Sequence, residues 1–127
     1  DSRSAGRFFD LLRRLHTGAV VCEPRHATWL TPAAEALLAR VQVGRVGADP
    51  PPAPGAGRPG GWPGLVYFRM HGSPRKYWSR YDRGTVDTLA AALTAAAGDR
   101  WCIFDNTASG AAIENALEVR RLSGALA

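Results

Sequence analysis

Runs of strand-like residues alternate with stripes of helical period along the whole chain, and the readable strands turn polar towards their carboxyl ends. That pattern commits the sequence to a parallel α/β sheet, in which strand carboxyl ends share one rim. Residues 4–16 place Phe8, Leu11, Leu12 and Leu15 at helical spacing, with Arg7, Asp10, Arg13 and Arg14 opposite. Gly18 stops that helix, and Ala19-Val20-Val21-Cys22 reads as a short buried strand. Thr31-Pro32, a hydroxyl N-cap followed by a first-turn proline, opens a helix carrying Ala33, Leu37 and Leu38 to about Arg40. A second strand is expected within residues 43–48 and the clearest one over 65–70. A helix over 85–97 buries Val86, Leu89, Leu93 and Ala96 and stops at Gly98; a fourth strand spans 101–104. Ser109-Gly110 opens the last helix. The expectation is an α/β fold with a parallel sheet of four β/α units, preceded by a helix whose own strand is missing.

Length and composition narrow the class. At 127 residues the chain suits a single domain, and 46% hydrophobic with 21% charged residues excludes a wholly disordered one. No apolar run approaches the roughly 20 residues of a membrane-spanning helix. No charged-then-apolar leader opens the sequence, so the expected location is cytoplasmic, with no membrane partner. Residues 50–64 hold 6 Pro and 5 Gly, which reads as a loop between the second and third strands. Gly55-Ala56-Gly57-Arg58-Pro59-Gly60 inside it satisfies a dinucleotide-binding pattern, but no strand-to-helix turn surrounds it. Cys22 and Cys102 sit in apolar strand-like runs and read as small buried thiols. The net charge is +5, with a single lysine, Lys76, among 16 basic residues. A basic balance attracts anions of any kind, so what matters is where the arginines point.

Side chains alternate faces along a strand. In the third strand Val66, Phe68 and Met70 form an apolar face, and Leu65, Tyr67, Arg69 and His71 the other. The first strand sets Val20 and Cys22 against Val21, Glu23 and Arg25; the second sets Val46 and Ala48 against Arg45, Gly47 and Asp49. For Asp105 and Asn106, at the end of the fourth, parity leaves the direction open. The inward set is therefore Glu23, Arg25, Arg45, Asp49, Arg69 and His71, with Asp105 as a further candidate. Charges gathered this way must pair with one another or meet a ligand. Both readings stand at this point: an interior ion-pair network, or a cationic pocket in which arginines outnumber carboxylates.

Several segments resemble a known family. Glu23-Pro24-Arg25-His26-Ala27-Thr28-Trp29 resembles the E-x-R-x-x-(S/T)-W element of the domain of unknown function 72, the YecE-like proteins. Tyr67-Phe68-Arg69-Met70-His71-Gly72 is similar to its Y-x-R-x-H-G strand, followed by an aromatic loop, here Tyr77, Trp78 and Tyr81. Ala48-Asp49-Pro50 resembles its A-D-x-P turn. Phe104-Asp105-Asn106, then Gly110 and Asn115-Ala116, resembles its closing segment, with Asp105 where the family usually has Asn. The matches run in family order over most of residues 18–122. The resemblance implies a TIM-barrel-like (β/α)8 fold without a settled activity, of which this chain would be the C-terminal half. Because a half barrel leaves sheet edges bare, the missing N-terminal half or another chain is expected to cover them.

The functional expectation is an enzyme-like pocket for a small anionic or phosphorylated ligand, with hydrolase- or lyase-like chemistry. Glu23, His71 and Asp49 are the candidate catalytic residues, since an imidazole and carboxylates can exchange protons near neutral pH. Arg25, Arg45 and Arg69 are expected to hold the ligand's charge, and Tyr77 and Tyr81 to close over it. Asp105 and Asn106 are placed where the last helix begins, a natural anion site that Ser109 capping would equally explain. No metal site is assigned, since no ligand-spacing motif occurs and the arginines oppose a cation; the sequence specifies no cofactor. Two other readings remain: a nucleic-acid-binding module using Arg75, Lys76, Arg80 and Arg83 with Trp78, and an inactive fragment.

Overall fold

A computed structural model describes residues 2–124. Helix α1 (Ser2–Leu15) leads into β1 (Val20–Cys22), a 3-10 turn (Ala27–Leu30) and α2 (Pro32–Arg40). Next come β2 (Val43–Arg45), β3 (Gly47–Asp49), β4 (Gly60–Gly61) and β5 (Leu65–Met70). The chain ends in α3 (Arg83–Ala95), β6 (Asp99–Phe104) and α4 (Ala111–Leu122). Local chemistry sets the boundaries. The Thr31 hydroxyl accepts the Ala34 N–H ahead of Pro32. Asp82 caps α3 by accepting the Thr85 N–H at 2.8 Å, and that bond holds its carboxyl below the usual range. Gly110 caps α4 in a left-handed conformation that favours glycine (φ 80°). The Ser109 hydroxyl does not cap this helix; it donates to the Trp78 carbonyl.

Strands β1 and β2 are parallel, with Val20 beside Val43 and Cys22 beside Arg45. Strand β3 is parallel to β5, and β5 to β6. The expected second strand is thus one run interrupted at Val46: its first part pairs with β1, its second with β5, and the Val46 N–H reaches the Cys22 carbonyl at 2.9 Å. Helices follow β1, β5 and β6, but the second strand is followed instead by the Pro/Gly loop and by β4, which lies antiparallel on β2. The sheet is parallel α/β as expected, with three strand–helix units and one strand lacking its helix.

All helices lie on one face. Phe68 and Met70 pack with Tyr81, Val86, Leu89, Leu93 and Val119 under α3 and α4. Val43 packs with Phe9, Leu38 and Val41 under α1 and α2. On the opposite face Ala19, Val21, Leu65, Tyr67, Trp101 and Ile103 line a shallow hollow of about 260 Å³. Trp101 is 54% exposed there.

Candidate functional site

The carboxyl ends of β1, β5 and β6 converge on one rim. Parity turns Arg69 away from the helices, and the register sets it beside Ile103, two residues before Asp105. Arg69 donates from Nε to Asp105 Oδ2 and from Nη1 to Glu23 Oε2, each at 2.8 Å. The other Glu23 oxygen accepts from Arg25 Nη2 at 3.0 Å. Asp105 Oδ2 is shared, because His71 Nδ1 lies 3.0 Å from it, close enough to pair but out of line for a straight hydrogen bond. The result is a continuous chain of alternating charge, Arg25–Glu23–Arg69–Asp105, with the imidazole at its end.

His71 is 2% exposed. Burial, then the charges of Arg69 and Lys76, push its pKa below 6.5, while Asp105 and Glu23 pull against them. The ring is therefore neutral near pH 7. The Glu23 hydrogen bond is the main cause that raises the Arg69 pKa, fixing the guanidinium as a charged link. Above the rim runs the loop 72–80. Tyr77 sits in the left-handed region (φ 63°), where a non-glycine residue is strained, and is held there by its N–H to the His71 carbonyl and by Ala108 N–H to its own carbonyl. Its ring stands edge-on to His71, centroids 5.5 Å apart. Lys76 Nζ lies 5.2 Å from that ring's centroid, and among the described residues it has no carboxylate within ion-pair distance.

Glu23, Arg25, Arg69, His71, Asp105 and Tyr77 thus come together. Four other candidates do not, and each has a physical reason. Arg45 points to the helix side: it shares a face with Val43 and Cys22, pairs with Glu35 of α2 and donates to the Arg58 carbonyl. Asp49 lies beside Met70 on that same face, where it accepts the Tyr81 hydroxyl at 2.7 Å. The phase assigned to the second strand is therefore inverted, Val43 being its helix-facing residue. Tyr81 is a buried core residue; its oxygen also accepts the Gly72 N–H, and burial raises its pKa. Asn106 is wholly buried and donates to the Ser79 carbonyl and to Asn115. Sequence reading missed Glu35 and placed Asn115 only within the family-like closing segment, without a role; a lone arginine and a strand-end asparagine facing a helix layer require such partners, and that requirement is the available signal.

Both cysteines are free and half-buried, and burial raises each thiol, Cys102 to about 12. His26 orders the turn after β1 by accepting the Thr28 N–H, and Trp29 packs edge-on against Phe9. Among the described residues no group of three or more His, Cys, Asp or Glu is gathered for a metal, and no helix is long and apolar enough to cross a membrane. At the rim, Arg69 bridges the Glu23 and Asp105 carboxylates.

These features define a parallel α/β protein with one helix layer and an ionic cluster at the strands' carboxyl ends. The chain belongs to the family described as protein of unknown function DUF72, whose model matches residues 2–126. Among solved structures it is similar to a DUF72 family protein of Thermotoga maritima MSB8, with a TM-score of 0.74 and 23% identity over 96% of this chain and 52% of that one. A DUF72 family protein of Enterococcus faecalis V583 gives a TM-score of 0.68 and 21% identity over 94% and 53%. At these identities the likeness concerns the fold, and the chain spans about half the length of either structure. No curated protein matches it.

Proposed function

We propose that the rim is one wall of a TIM-barrel-type pocket that binds a small anionic, phosphorylated ligand and exchanges a proton with it through His71. The carrying observation is the neutral, buried imidazole set between the Asp105 carboxylate and the cations Arg69 and Lys76. Arg25, Glu23, Arg69 and Asp105 balance one another in charge, so the attraction for an anion comes from Lys76 and from the well-exposed Arg25, which has one carboxylate partner. Asp105 steadies the imidazolium formed when His71 takes a proton, the pairing that hydrolase- and lyase-type reactions use. A nucleic-acid surface is less well supported, because Arg80 is engaged by Glu114 and Glu118, Arg83 by Asp87 and Glu118, and Arg75 stacks on Trp78.

Titration with inorganic phosphate, followed by calorimetry and by the His71 imidazole resonances, is expected to show saturable binding. Arg25→Met and Lys76→Met are expected to weaken it about tenfold each, the loss of one charge-assisted contact. Unchanged affinity in both variants overturns the anion pocket.

A further inference from the structure

One position in the helix layer is filled by no helix. The second strand runs into the Pro/Gly loop instead, and between that loop and α3 lies a groove of about 870 Å³. Its walls and floor all belong to the run from β3 to α3; β5 beneath it is paired on both sides, and no residue of β1 or β6 lines it. The volume falls within the range of small-molecule sites. Phe68, Met70 and Leu89 form the floor, and the polar wall carries Asp49, Arg58 and Asp82. Asp82 is engaged as the cap of α3, accepting the Thr85 N–H at 2.8 Å. Asp49 accepts the Tyr81 hydroxyl on Oδ2 at 2.7 Å, and among the described residues nothing donates to its Oδ1. Arg58 is fixed through its backbone. Its carbonyl accepts Arg45 Nη1 at 2.9 Å, and it lies so close to β3 that a Cβ on Gly47 would meet its carbonyl carbon at 2.9 Å. Its guanidinium has no carboxylate partner among the described residues.

We infer that this groove binds a small zwitterion, an α-amino acid with an apolar side chain, held by its ammonium on Asp49 and by its carboxylate on Arg58. The charges make the choice. An open carboxylate oxygen and an open guanidinium line the same groove over a hydrocarbon floor, which matches a molecule carrying both charges and an apolar chain. A simple anion would meet Asp49 and Asp82 as like charges, and a simple amine would leave Arg58 unanswered. A neutral apolar ligand would take both charges out of water without a partner. An ammonium brings three donors to Asp49 Oδ1, and a planar guanidinium takes a carboxylate by two parallel hydrogen bonds. The groove lies on the helix side of the sheet and the ionic rim on the other, so the two sites are separate. One link joins them: the Tyr81 hydroxyl that binds Asp49 also accepts the Gly72 N–H at 2.7 Å, at the root of the loop above His71.

Leucine titrated into the 127-residue chain and followed by calorimetry is expected to bind saturably. Its dissociation constant is expected on the order of 1 mM, the scale of two charge-assisted contacts on a small ligand. Isopentylamine and isocaproate, which each lack one of its charges, are expected to bind at least about tenfold more weakly. Asp49→Asn and Arg58→Met are each expected to weaken leucine binding about tenfold. The asparagine oxygen still accepts the Tyr81 hydroxyl and the Arg58 side chain is exposed, so both variants keep the fold, which circular dichroism checks. No saturation by about 20 mM leucine, an analogue that binds as tightly as leucine, or an affinity indifferent to both substitutions overturns the proposal. Neither residue takes part in the ion pairs of the rim, so phosphate binding there is a separate result and the two proposals fail independently.

Discussion

Asn115→Leu is expected to lower the free energy of unfolding by about 3 kcal/mol, read by urea denaturation at one fixed protein concentration. Asn115 is wholly buried on α4. Its Oδ1 accepts the Tyr81 N–H at 3.1 Å and Asn106 Nδ2 at 3.0 Å, while its Nδ2 donates to the Tyr81 carbonyl at 3.2 Å. Leucine keeps the branched outline, with bulkier methyl groups in place of the amide oxygen and nitrogen, so the main loss is one of hydrogen bonds and not of packing contacts. It strands the two backbone groups of Tyr81 away from water, each at about 1–3 kcal/mol. Asn106 keeps its bond to the Ser79 carbonyl, which limits the damage on that side. The same pair of side chains ties the segment after β5 to the helix layer, so the imidazole resonances of His71 are expected to broaden in this variant. A variant as stable as the wild type would mean that water reaches Tyr81.

Much of the fold was legible because hydrophobic period survives without tertiary context. Phe68 and Met70, Val86 and Leu89 face the core as their spacing requires. Thr31 caps α2 as read, and the rim members Glu23, Arg69 and His71 follow from parity alone. The second strand was misread because its polar residues are neutralised under the helix layer. Arg45 meets Glu35, and Asp49 meets the Tyr81 hydroxyl, partners 10 and 32 residues away in sequence. The run from Val43 to Asp49 sets Val43, Arg45, Gly47 and Asp49 against Gly44, Val46 and Ala48, so composition turns the charged face away from the helices and only those distant partners reverse its phase. The break at Val46 is equally non-local, since it arises where pairing passes from β1 to β5. Neighbourhood in the sequence points Asn106 and Tyr81 to the pocket, whereas the Tyr81 hydroxyl and the Asn106 Nδ2 are engaged within the core and the Asn106 Oδ1 is buried without a partner among the described residues.

The largest electrostatic effect is expected from Arg69→Met. Wild-type His71 titrates below 6.5. A group depressed in this way contributes stability that is complete above pH 6.5 and is lost as pH falls through the folded-state value, because the unfolded imidazole binds the proton more readily. Arg69 is the first-ranked charge holding it down, after burial, and Lys76 the second. Removing Arg69 leaves Asp105 at 3.0 Å and Glu23 at the rim with no guanidinium between them. The folded-state pKa therefore rises, and the acid-induced loss of stability shrinks. Asp105→Asn is expected to do the reverse: it withdraws the adjacent negative charge, the His71 titration moves further down, and stability falls more steeply with acid. Arg69→Met also gives up two charge-assisted hydrogen bonds of a side chain about one-third exposed, which at neutral pH is expected to lower stability by about 1–2 kcal/mol. The loss at neutral pH reports the ion pairs themselves, whereas opposite displacements of the His71 titration in the two variants report that Arg69 and Asp105 set the imidazole's proton affinity. Nuclear magnetic resonance titration of the His71 ring across pH 4–8 separates them, and coincident curves for both variants and the wild type would end the case for His71 as a tuned base.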